Sequence, residues 1–380
     1  MATDPLLALA VGKRDPEGRD RRREQDQGRP LASDSTLNRL ELTPETLYPE
    51  NCYWKVRYHA DRIEELFVTL FLESYSQPPA EIMLDFDATD DPLHGEQEGR
   101  FFHAYYDSYC YLPLYVFCGN QLLVTELRMS DRDASDGATE TLAYLVERIR
   151  ARWPQTRIIA RADSGFARKK LMAWCEQNNV YYLLGLAKNT RLLQKIGKEL
   201  VQVRERFQAT QHASRVFTQF HWRTLKSWTR TRRVIAKAKH LAKGPNPRFI
   251  VTNLPQRYTE PRRLYEHHYC ARGEAENRIK EQQLDLFADR ISTHTMRANQ
   301  LRLWFSSIGY VLLSALRRIT LKTTRMANAT CGTIRLRLLK IGAQIKLSVR
   351  RMFIHLAAAC PYKDVFEHVL RTLRQYPIRS

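Results

Sequence analysis

Cysteine is scarce and scattered in this sequence. The chain has 7 cysteines in 380 residues, an odd number, and no two of them form a C-x-x-C pair. This spacing argues against a disulfide framework and against a zinc ribbon. The sequence also lacks the G-x-x-x-x-G-K-[ST] phosphate-binding loop and the H-E-x-x-H motif. Neither ATP use nor a metalloprotease-type zinc site is therefore indicated.

Long hydrophobic runs are missing as well. The longest uncharged stretch of apolar character, 303–316, has 14 residues, whereas about 20 are needed to span a bilayer. The apolar residues 5–11 follow an aspartate and no basic segment precedes them, so a signal peptide is not indicated. We expect a cytoplasmic protein with no membrane partner.

Acidic residues are absent from one long stretch. Between Arg290 and Lys363 there are 14 Lys and Arg residues and no Asp or Glu, in a chain whose net charge is +20. Each basic side chain that neutralises a phosphate releases condensed counterions, so this excess favours a polyanionic partner. The alternative explanation is a basic surface that is exposed only to solvent. We expect nucleic acid as the partner.

The hydrophobic pattern from residue 81 onward predicts an α/β fold. Apolar and polar residues alternate over 82–87, which places Asp85 and Asp87 on one face of a strand. Two further apolar runs flank Gly119-Asn120 and predict a hairpin. Strand and helix patterns then alternate, and the strand at 157–163 ends in Asp163. The order βββαβαβ is that of an RNase H-like mixed sheet flanked by helices.

Carboxylates at the ends of these strands are the candidate catalytic residues. Asp87 and Asp163 would stand side by side at one sheet edge, where they can bind a hard divalent cation that offsets their repulsion. The third ligand is Glu276, on a long helix predicted over 262–287. Tyr269, Arg272 and Gln283 share its helix face. The arginine can fork onto phosphate oxygens while the phenol donates a hydrogen bond.

Each carboxylate has a simpler alternative explanation. Asp85 shares a strand face with Asp87 and is its rival as first ligand. Asp163 could only cap the helix that follows it. Glu276 could only pair with Lys280, a contribution of about 0.3 to 0.5 kcal/mol.

In these segments the sequence resembles the DDE transposases of bacterial insertion sequences, most closely the thirteen-eighty insertion-sequence family. Asp87 lies in the Asp-x-Thr strand end of that family, and Asp163 lies before its small-residue turn and aromatic. The family's glutamate signature, Tyr-x2-Arg-x3-Glu-x6-Lys, is matched by Tyr269, Arg272 and Glu276. At the lysine position stands Gln283, with Lys280 one turn away.

The resemblance implies a two-metal enzyme that cuts and rejoins DNA by in-line phosphoryl transfer, with no covalent enzyme intermediate. It implies two Mg²⁺ ions, replaceable by Mn²⁺, with Asp87 and Asp163 sharing one ion and Glu276 holding the other. It implies transposon ends and target DNA as partners, DNA contacts by Tyr269, Arg272, Lys280 and Gln283, and a homodimer or higher multimer on DNA. A nuclease without strand transfer and an inactive DNA-binding remnant stay open as alternatives.

A surplus of chain lies between the second and third carboxylates. The interval from Asp163 to Glu276 is 276 − 163 = 113 residues, more than one strand and one helix require. Its period-two pattern contains Trp222 and Trp228. They stand among basic residues, a mixture that suits stacking on an unpaired base beside neutralised phosphates. These basic residues are Arg223, Lys226, Arg230, Arg232 and Arg233. We therefore predict a β-rich insertion outside the catalytic sheet that grips the transposon end. The alternative is that both tryptophans pack inside the insertion.

Alternation over 333–349 predicts basic strands around Gly342.

The patterns described above divide the chain into five regions. The regions are 1–75, an N-terminal region expected to be the truncated remainder of a DNA-binding part; 76–191, the first part of the RNase H-like core; 192–262, the β-rich insertion; 263–320, the catalytic helix and a second core helix; and 321–380, a basic C-terminal region.

Overall fold

The structure is a computed structural model that describes residues 7–8, 11–13, 21–27, 34–44, 57–347 and 352–376. The chain divides into two units, each described by itself below. The sheet unit consists of Asp61–Gln283 and Asp289–Met296, and the second unit of Met1–Ala60, Leu284–Ala288 and Arg297–Ser380. Much of the predicted N-terminal region 1–75 lies outside the described residues.

The sheet unit is built from short strands that alternate with helices. Its strands are β1 (Glu81–Ala88), β2 (Asp91–Pro92), β3 (Phe101–His103), β4 (Ser108–Tyr111), β5 (Leu114–Cys118), β6 (Gln121–Glu126), β7 (Arg157–Ala162), β8 (Tyr181–Leu186), β9 (Ser214–Trp222), β10 (Arg232–Leu241), β11 (Gly244–Pro245) and β12 (Arg248–Thr252). Its α-helices are Ala60–Glu73, Ala138–Arg152, Lys169–Gln177, Thr190–Lys195, Gly197–Thr210, Pro261–Arg263 and Gly273–Lys280.

Shorter helical turns complete this unit. Residues 261–286 are helical without a break. The 3-10 turns are Ser164–Phe166, Gln256–Tyr258 and Cys270–Arg272, and the π-helical turns are Leu264–Tyr269 and Glu281–Asp285. The predicted helix over 262–287 is thus present, with mixed hydrogen-bond periods.

The core of the sheet has the predicted topology. β1 pairs in parallel with β7, and β7 in parallel with β8. On its other edge β1 pairs antiparallel with β5, which pairs antiparallel with β6. Gly119, in the turn between β5 and β6, has a φ of 58°, a left-handed conformation that glycine adopts at little cost. The predicted mixed sheet flanked by helices is confirmed.

The strands of the 192–262 segment continue this same sheet, so the prediction that they lie outside it is wrong. Over the described residues the sheet runs β11-β10-β12-β8-β7-β1-β5-β6, with β9 paired to β10. In β12, Ile250 and Val251 are both fully buried and belong to hydrophobic clusters on opposite faces of the sheet. Pairing with β8 gives β12 both a hydrogen-bond partner and cover on two faces, which an exposed insertion would lack.

The two faces of the sheet are covered by different parts of the chain. One face packs against the helices that contain Phe71, Leu145 and Met172. The other face packs against Leu264 and Tyr265 at the start of the helical run that follows Pro261. Leu84 and Phe86 of β1 belong to the first face. Side chains alternate along a strand, so Asp85 and Asp87 lie on the second face.

The second unit is mainly helical. Its elements are the helix Asp34–Glu41, the 3-10 turn Glu24–Asp26, the long helix Met296–Leu316, the π turn Arg317–Leu321, the helix Cys331–Ile334, the π turn Arg335–Leu339, the hairpin β13 (Ala343–Leu347) and β14 (Met352–Leu356), and the helix Lys363–Gln375. Arg302 pairs with Glu41 at 3.0 Å, which ties the long helix to the first one.

The prediction of strands over 333–349 is wrong for the first half of that range. Residues 331–339 are helical, and 343–347 form a strand. Residues 348–349 lie outside the described residues. Thr330 caps the helix by accepting a hydrogen bond from the backbone N–H of Thr333, and Ile334 and Leu338 are buried on one side of it. A spacing of four places both residues on one helical face. In the described part of the chain, no helix is both long and apolar enough to cross a membrane.

Candidate active site

Three of the sequence-predicted carboxylates line a single pocket of about 520 Å³ in the sheet unit. Asp87 lies near the end of β1, and Asp163 directly follows β7. Because β1 and β7 are parallel and Phe86 pairs with Ala162, their carboxyl ends meet at one sheet edge. The helix Gly273–Lys280 adds Glu276. The pocket is lined by Asp87, Ala88, Thr89, His103, Tyr105, Tyr106, Leu112, Ala134, Asp163, Phe166, Arg272, Glu276, Ile279, Lys280 and Gln283.

The pKa of Asp87 is strongly shifted by its surroundings. Burial raises its pKa to about 7, the neighbouring charge of Arg272 opposes the rise, and the carboxylates of Asp163 and Glu276 add to it. Its Oδ1 accepts a 3.1 Å hydrogen bond from the backbone N–H of Ala88. Close to neutral pH this group is therefore divided between its neutral and charged forms.

Asp163 caps the turn after β7 and also faces the pocket. Its Oδ1 accepts a 2.8 Å hydrogen bond from the backbone N–H of Gly165. Asp163 thus caps the 3-10 turn Ser164–Phe166 and not the helix Lys169–Gln177, and the cap occupies one of its two carboxylate oxygens. Capping fixes the orientation of the side chain, and lining the pocket is compatible with it.

Arg272 lies between the first and third carboxylates. Its Nη2 is 2.7 Å from Oε1 of Glu276 and its Nη1 is 3.7 Å from Oδ2 of Asp87. The guanidinium therefore neutralises part of the negative charge that three neighbouring carboxylates would otherwise accumulate. The alternative in which Glu276 pairs with Lys280 is not the arrangement observed.

A glycine leaves room for Tyr269 close to the second carboxylate. A Cβ atom at Gly185 of β8 would lie 2.6 Å from the hydroxyl oxygen of Tyr269 and 2.7 Å from the backbone nitrogen of Ser164. Gly185 thus leaves the space in which the phenol reaches the Asp163–Ser164 peptide. Burial raises the pKa of Tyr269, so the hydroxyl stays a hydrogen-bond donor.

The last two predicted DNA contacts on this helical run differ in exposure. Lys280 is exposed at the rim of the pocket. Gln283 is half-buried, and its Nε2 donates a 3.0 Å hydrogen bond to the carbonyl oxygen of Asp90. The glutamine therefore stabilises the loop after β1, and Lys280 is the cation available at this rim.

Asp85, the rival first ligand, is engaged elsewhere. Its side chain is 2% exposed, and both of its carboxylate oxygens bind the guanidinium of Arg161, one of them at 2.7 Å. Arg161 also donates to the carbonyl oxygen of His268. The geometry therefore favours Asp87 as the pocket carboxylate and gives Asp85 a structural ion pair.

Neither predicted tryptophan lines the pocket. Trp228 is 4% exposed and belongs to the main hydrophobic cluster, so its ring has no free face for a base. The stacking role predicted for Trp228 does not fit this burial. Trp222 is half-buried and lies under the guanidinium of Arg191 at 4.6 Å.

The arginines of the same segment have protein partners. Arg232 binds the carboxylate of Glu176 through two hydrogen bonds of 2.8 and 3.0 Å. Arg233 binds Gln219 at 2.8 Å and the carbonyl oxygen of Leu254 at 3.0 Å. These two cations therefore stabilise the sheet, and the sequence alone had suggested a contact with phosphates.

Sequence reasoning missed the aromatic wall of the pocket. His103, Tyr105 and Tyr106 line the pocket, and Phe166 is the other aromatic residue in its lining. The first three come from the hairpin of β3 and β4. The available signal was the density of rings in the segment FFHAYYDSYCY, residues 101–111.

The donor set of the pocket fits a hard divalent cation. Three carboxylates supply oxygen ligands of the kind that Mg²⁺ prefers. Among the described residues, no three Asp, Glu, His or Cys side chains stand close enough together to hold a metal ion as they are. The guanidinium of Arg272 lies within this donor set, between Asp87 and Glu276.

A protein family and a solved structure are similar to this chain. A family model described as "Transposase DDE domain group 1" matches residues 1–378. No curated protein matches the chain significantly. Among solved structures, one similar chain belongs to the "Cryo-EM structure of piggyBac transposase synaptic complex with hairpin DNA (SNHP)". The TM-score is 0.37 and the identity 9%, and the alignment covers 80% of this chain and 56% of that chain.

Proposed function

From the premise that the chain belongs to the transposase DDE-domain family, we propose that it cleaves DNA at the ends of an insertion sequence and joins those ends to target DNA. The observation that carries this proposal is the meeting of Asp87, Asp163 and Glu276 in one pocket of an RNase H-like sheet. The element would be one of the thirteen-eighty type, as the spacing of Tyr269, Arg272 and Glu276 suggests.

Two Mg²⁺ ions would be held by these carboxylates, with Mn²⁺ as a substitute. Asp87 and Asp163 would share one ion, and Glu276 would hold the other. Bound metal lowers the pKa of an attacking water or 3′-hydroxyl and stabilises the leaving oxygen in phosphoryl transfer. Burial has already raised the pKa of Asp87, so positive charge entering this pocket relieves an electrostatic cost.

The other residues of the pocket would bind and orient the DNA backbone. Arg272 offers a planar guanidinium that can pair with two phosphate oxygens once it leaves the carboxylates. Tyr269 presents a hydroxyl donor beside Asp163. Lys280, exposed at the rim, can neutralise a flanking phosphate without reaching the reacting centre.

The charge of the chain supports DNA as the partner. The net charge is +20, and no acid interrupts the stretch from Arg290 to Lys363. Binding should therefore weaken steeply as salt is added, because neutralised phosphates release counterions. Transposon ends and target DNA would bind together in a homodimer or higher multimer, since two ends must be processed in concert.

The test is a reaction with a labelled DNA end taken from the inverted repeats that flank the gene. With Mg²⁺ we expect both a cleaved product and a joined product, and neither when the metal is chelated. The matched control is Glu276→Gln, which keeps the size of the side chain and removes a metal ligand.

Each outcome of this reaction separates the alternatives. Cleaved DNA without joined product would identify a nuclease that lacks strand transfer. Metal-independent DNA binding with no cleavage would identify a binding remnant. Full cleavage by Glu276→Gln would remove this residue from the catalytic set.

A further inference from the structure

The hairpin of β3 and β4 carries exposed aromatic rings. We call residues 101–111 the aromatic hairpin. Tyr105, at its tip, is 84% exposed, and Phe102 and Tyr109 are 52% and 44% exposed. Burying a single such ring would contribute about 1.5 to 3 kcal/mol. Several rings left in water together therefore mark a surface that binds something.

The base of this hairpin is firmly anchored, so the exposure of its tip is not a result of loose packing. Tyr111 is fully buried, and the backbone N–H of Leu93 donates a 2.8 Å hydrogen bond to the carbonyl oxygen of Tyr109. The hydroxyl of Ser130 donates a 3.0 Å hydrogen bond to the carbonyl oxygen of Phe101. A rigid base holds the tip rings in place before any ligand arrives.

The tip rings face the pocket of the three carboxylates. His103, Tyr105 and Tyr106 all line that pocket. Their ring centroids are 5.0 Å apart for His103 and Tyr106, and 5.0 Å apart for Tyr105 and Tyr106, the latter pair at 87°. The three rings therefore form one cluster that leaves the ring of Tyr105 open to solvent.

The groups around the cluster indicate what kind of ligand it binds. Arg272 and Lys280 line the same pocket. At the hairpin base the guanidinium of Arg100 lies 3.9 Å from the centre of the Tyr109 ring. Burial, followed by the charges of Asp90 and Asp87, raises the pKa of Tyr106 to about 12, so its hydroxyl remains a donor. Rings, hydroxyl donors and cations together match a nucleotide better than an apolar peptide.

We propose that the tip of the aromatic hairpin binds an unpaired nucleobase of the DNA end, stacked on Tyr105 and Tyr106 beside the phosphate that the three carboxylates address. This inference rests on the proposed function, because that function places a DNA phosphate in the pocket. The base is unpaired because stacking needs a free base face, and inside a duplex both faces are covered by neighbouring pairs.

The site is distinct from the tryptophan segment. Trp228 is buried and Trp222 is covered by Arg191, whereas Tyr105 and Tyr106 line the pocket itself. An aromatic platform at this position would hold the terminal base out of the duplex and fix the neighbouring phosphate. Base stacking tolerates any sequence because every base has a π-face.

The experiment compares two DNA probes that differ only in their ends. One is a short blunt duplex, and the other has the same length with mismatched terminal pairs and the fluorescent base 2-aminopurine in the unpaired strand. The full chain is titrated with each probe without divalent metal, and affinity is read from anisotropy. Stacking of the unpaired base is read from the fluorescence of 2-aminopurine.

We expect wild-type protein to prefer the mismatched probe. Tyr105→Ala and Tyr106→Ala should each reduce that preference by roughly 5- to 150-fold, the range found for loss of one base–aromatic stack. Tyr105→Phe should keep it, since the ring remains. The control is Tyr376→Ala, which removes an equally large exposed ring at a position outside the pocket and should change nothing. Because Tyr105 is so exposed, its variants should melt at the wild-type temperature.

The inference is overturned if both alanine variants keep the wild-type preference, or if Tyr376→Ala lowers it equally. It is also overturned if Tyr105→Ala changes only the oligomeric state, which would make the hairpin a contact with a second copy. Failure of the proposed function would look different. In that case wild-type protein would not cleave DNA with Mg²⁺, yet Tyr105→Ala would still reduce the preference for unpaired ends in metal-free binding.

Discussion

Two aspartates on one face of β1 have opposite surroundings. Asp85 is 2% exposed and binds Arg161 through both of its oxygens. Asp87, two residues later, lines the pocket and shares Arg272 with Glu276. Each carboxylate has an arginine partner, but only at the pocket does the arginine serve two acids. At Asp85 one guanidinium neutralises one carboxylate, which is a structural ion pair. At the pocket one guanidinium is shared by two carboxylates, so negative charge is left over.

The difference shows that the role of a carboxylate depends on its burial and on how many groups bind it. Its place in the alternating pattern of the strand does not decide that role. Burial raises the pKa of Asp85 while the hydrogen bonds of Arg161 oppose the rise. At Asp87 burial and two further carboxylates act together. A carboxylate that lacks a full complement of partners is the one able to accept a metal ion.

The largest expected effect is the loss of chemistry at the pocket. Asp163→Asn should lower end cleavage by about 10³-fold or more, because metal-stabilised charge is worth several kcal/mol and about 1.4 kcal/mol equals a factor of ten. DNA affinity should be unchanged or higher, since the variant removes a negative charge. Cleavage rate and affinity are measured on the same preparation. Cleavage at the wild-type rate would refute the assignment of Asp163.

A second effect separates the two aspartates by stability. Asp85→Asn should lower the free energy of unfolding by about 3 to 5 kcal/mol, because it leaves the buried guanidinium of Arg161 without its counter-charge. The matched control is Asp87→Asn, which relieves repulsion and should cost no stability. Urea unfolding of both variants without metal measures the difference. Equal losses would mean that the two sites do not differ as described.

A third effect concerns the space beside Asp163. Gly185→Ala should lower cleavage by up to about 10²-fold, the cost of misplacing a reacting group by about 1 Å, because its Cβ would displace Tyr269 and the Ser164 peptide. The control is Gly197→Ala, where nothing lies within 4 Å of the added atom. Cleavage by both variants is compared at equal DNA occupancy. An active Gly185→Ala with an inactive Gly197→Ala would contradict the packing described.

A fourth effect is a pH dependence specific to Asp87. Its pKa rises from 3.8 to about 7 on folding, so between these values the folded chain holds a proton that the unfolded chain has lost. Its contribution to stability is therefore present below pH 3.8 and lost as the pH rises to about 7. The difference in unfolding free energy between wild type and Asp87→Asn, measured without metal, should fall over that range. A constant difference would show that Asp87 titrates normally.

The core of the fold was predictable because its signals are local. Alternation over 82–87, the Gly119-Asn120 turn and the strand that ends at Asp163 each depend on a few neighbouring residues. The parallel strands then bring Asp87 and Asp163 to one edge by geometry alone. Sequence spacing also placed Arg272 and Glu276 on one helical face.

The features that the sequence did not predict depend on contacts between residues far apart in the chain. Arg161 lies 76 residues from Asp85, and Arg232 lies 56 residues from Glu176. No local pattern identifies such partners, so Asp85 stayed a rival ligand and Arg232 was predicted to face DNA. The pairing of β12 with β8 is equally non-local, which is why the 192–262 segment was placed outside the sheet.

The binding of Mn²⁺ to the full chain, followed by electron paramagnetic resonance without DNA, tests the central claim most directly. Wild-type protein should bind Mn²⁺, Asp87→Asn should lose that binding, and Asp85→Asn, measured below its melting temperature, should keep it. Loss of binding in Asp85→Asn together with wild-type binding in Asp87→Asn would contradict the assignment of the pocket as the metal site.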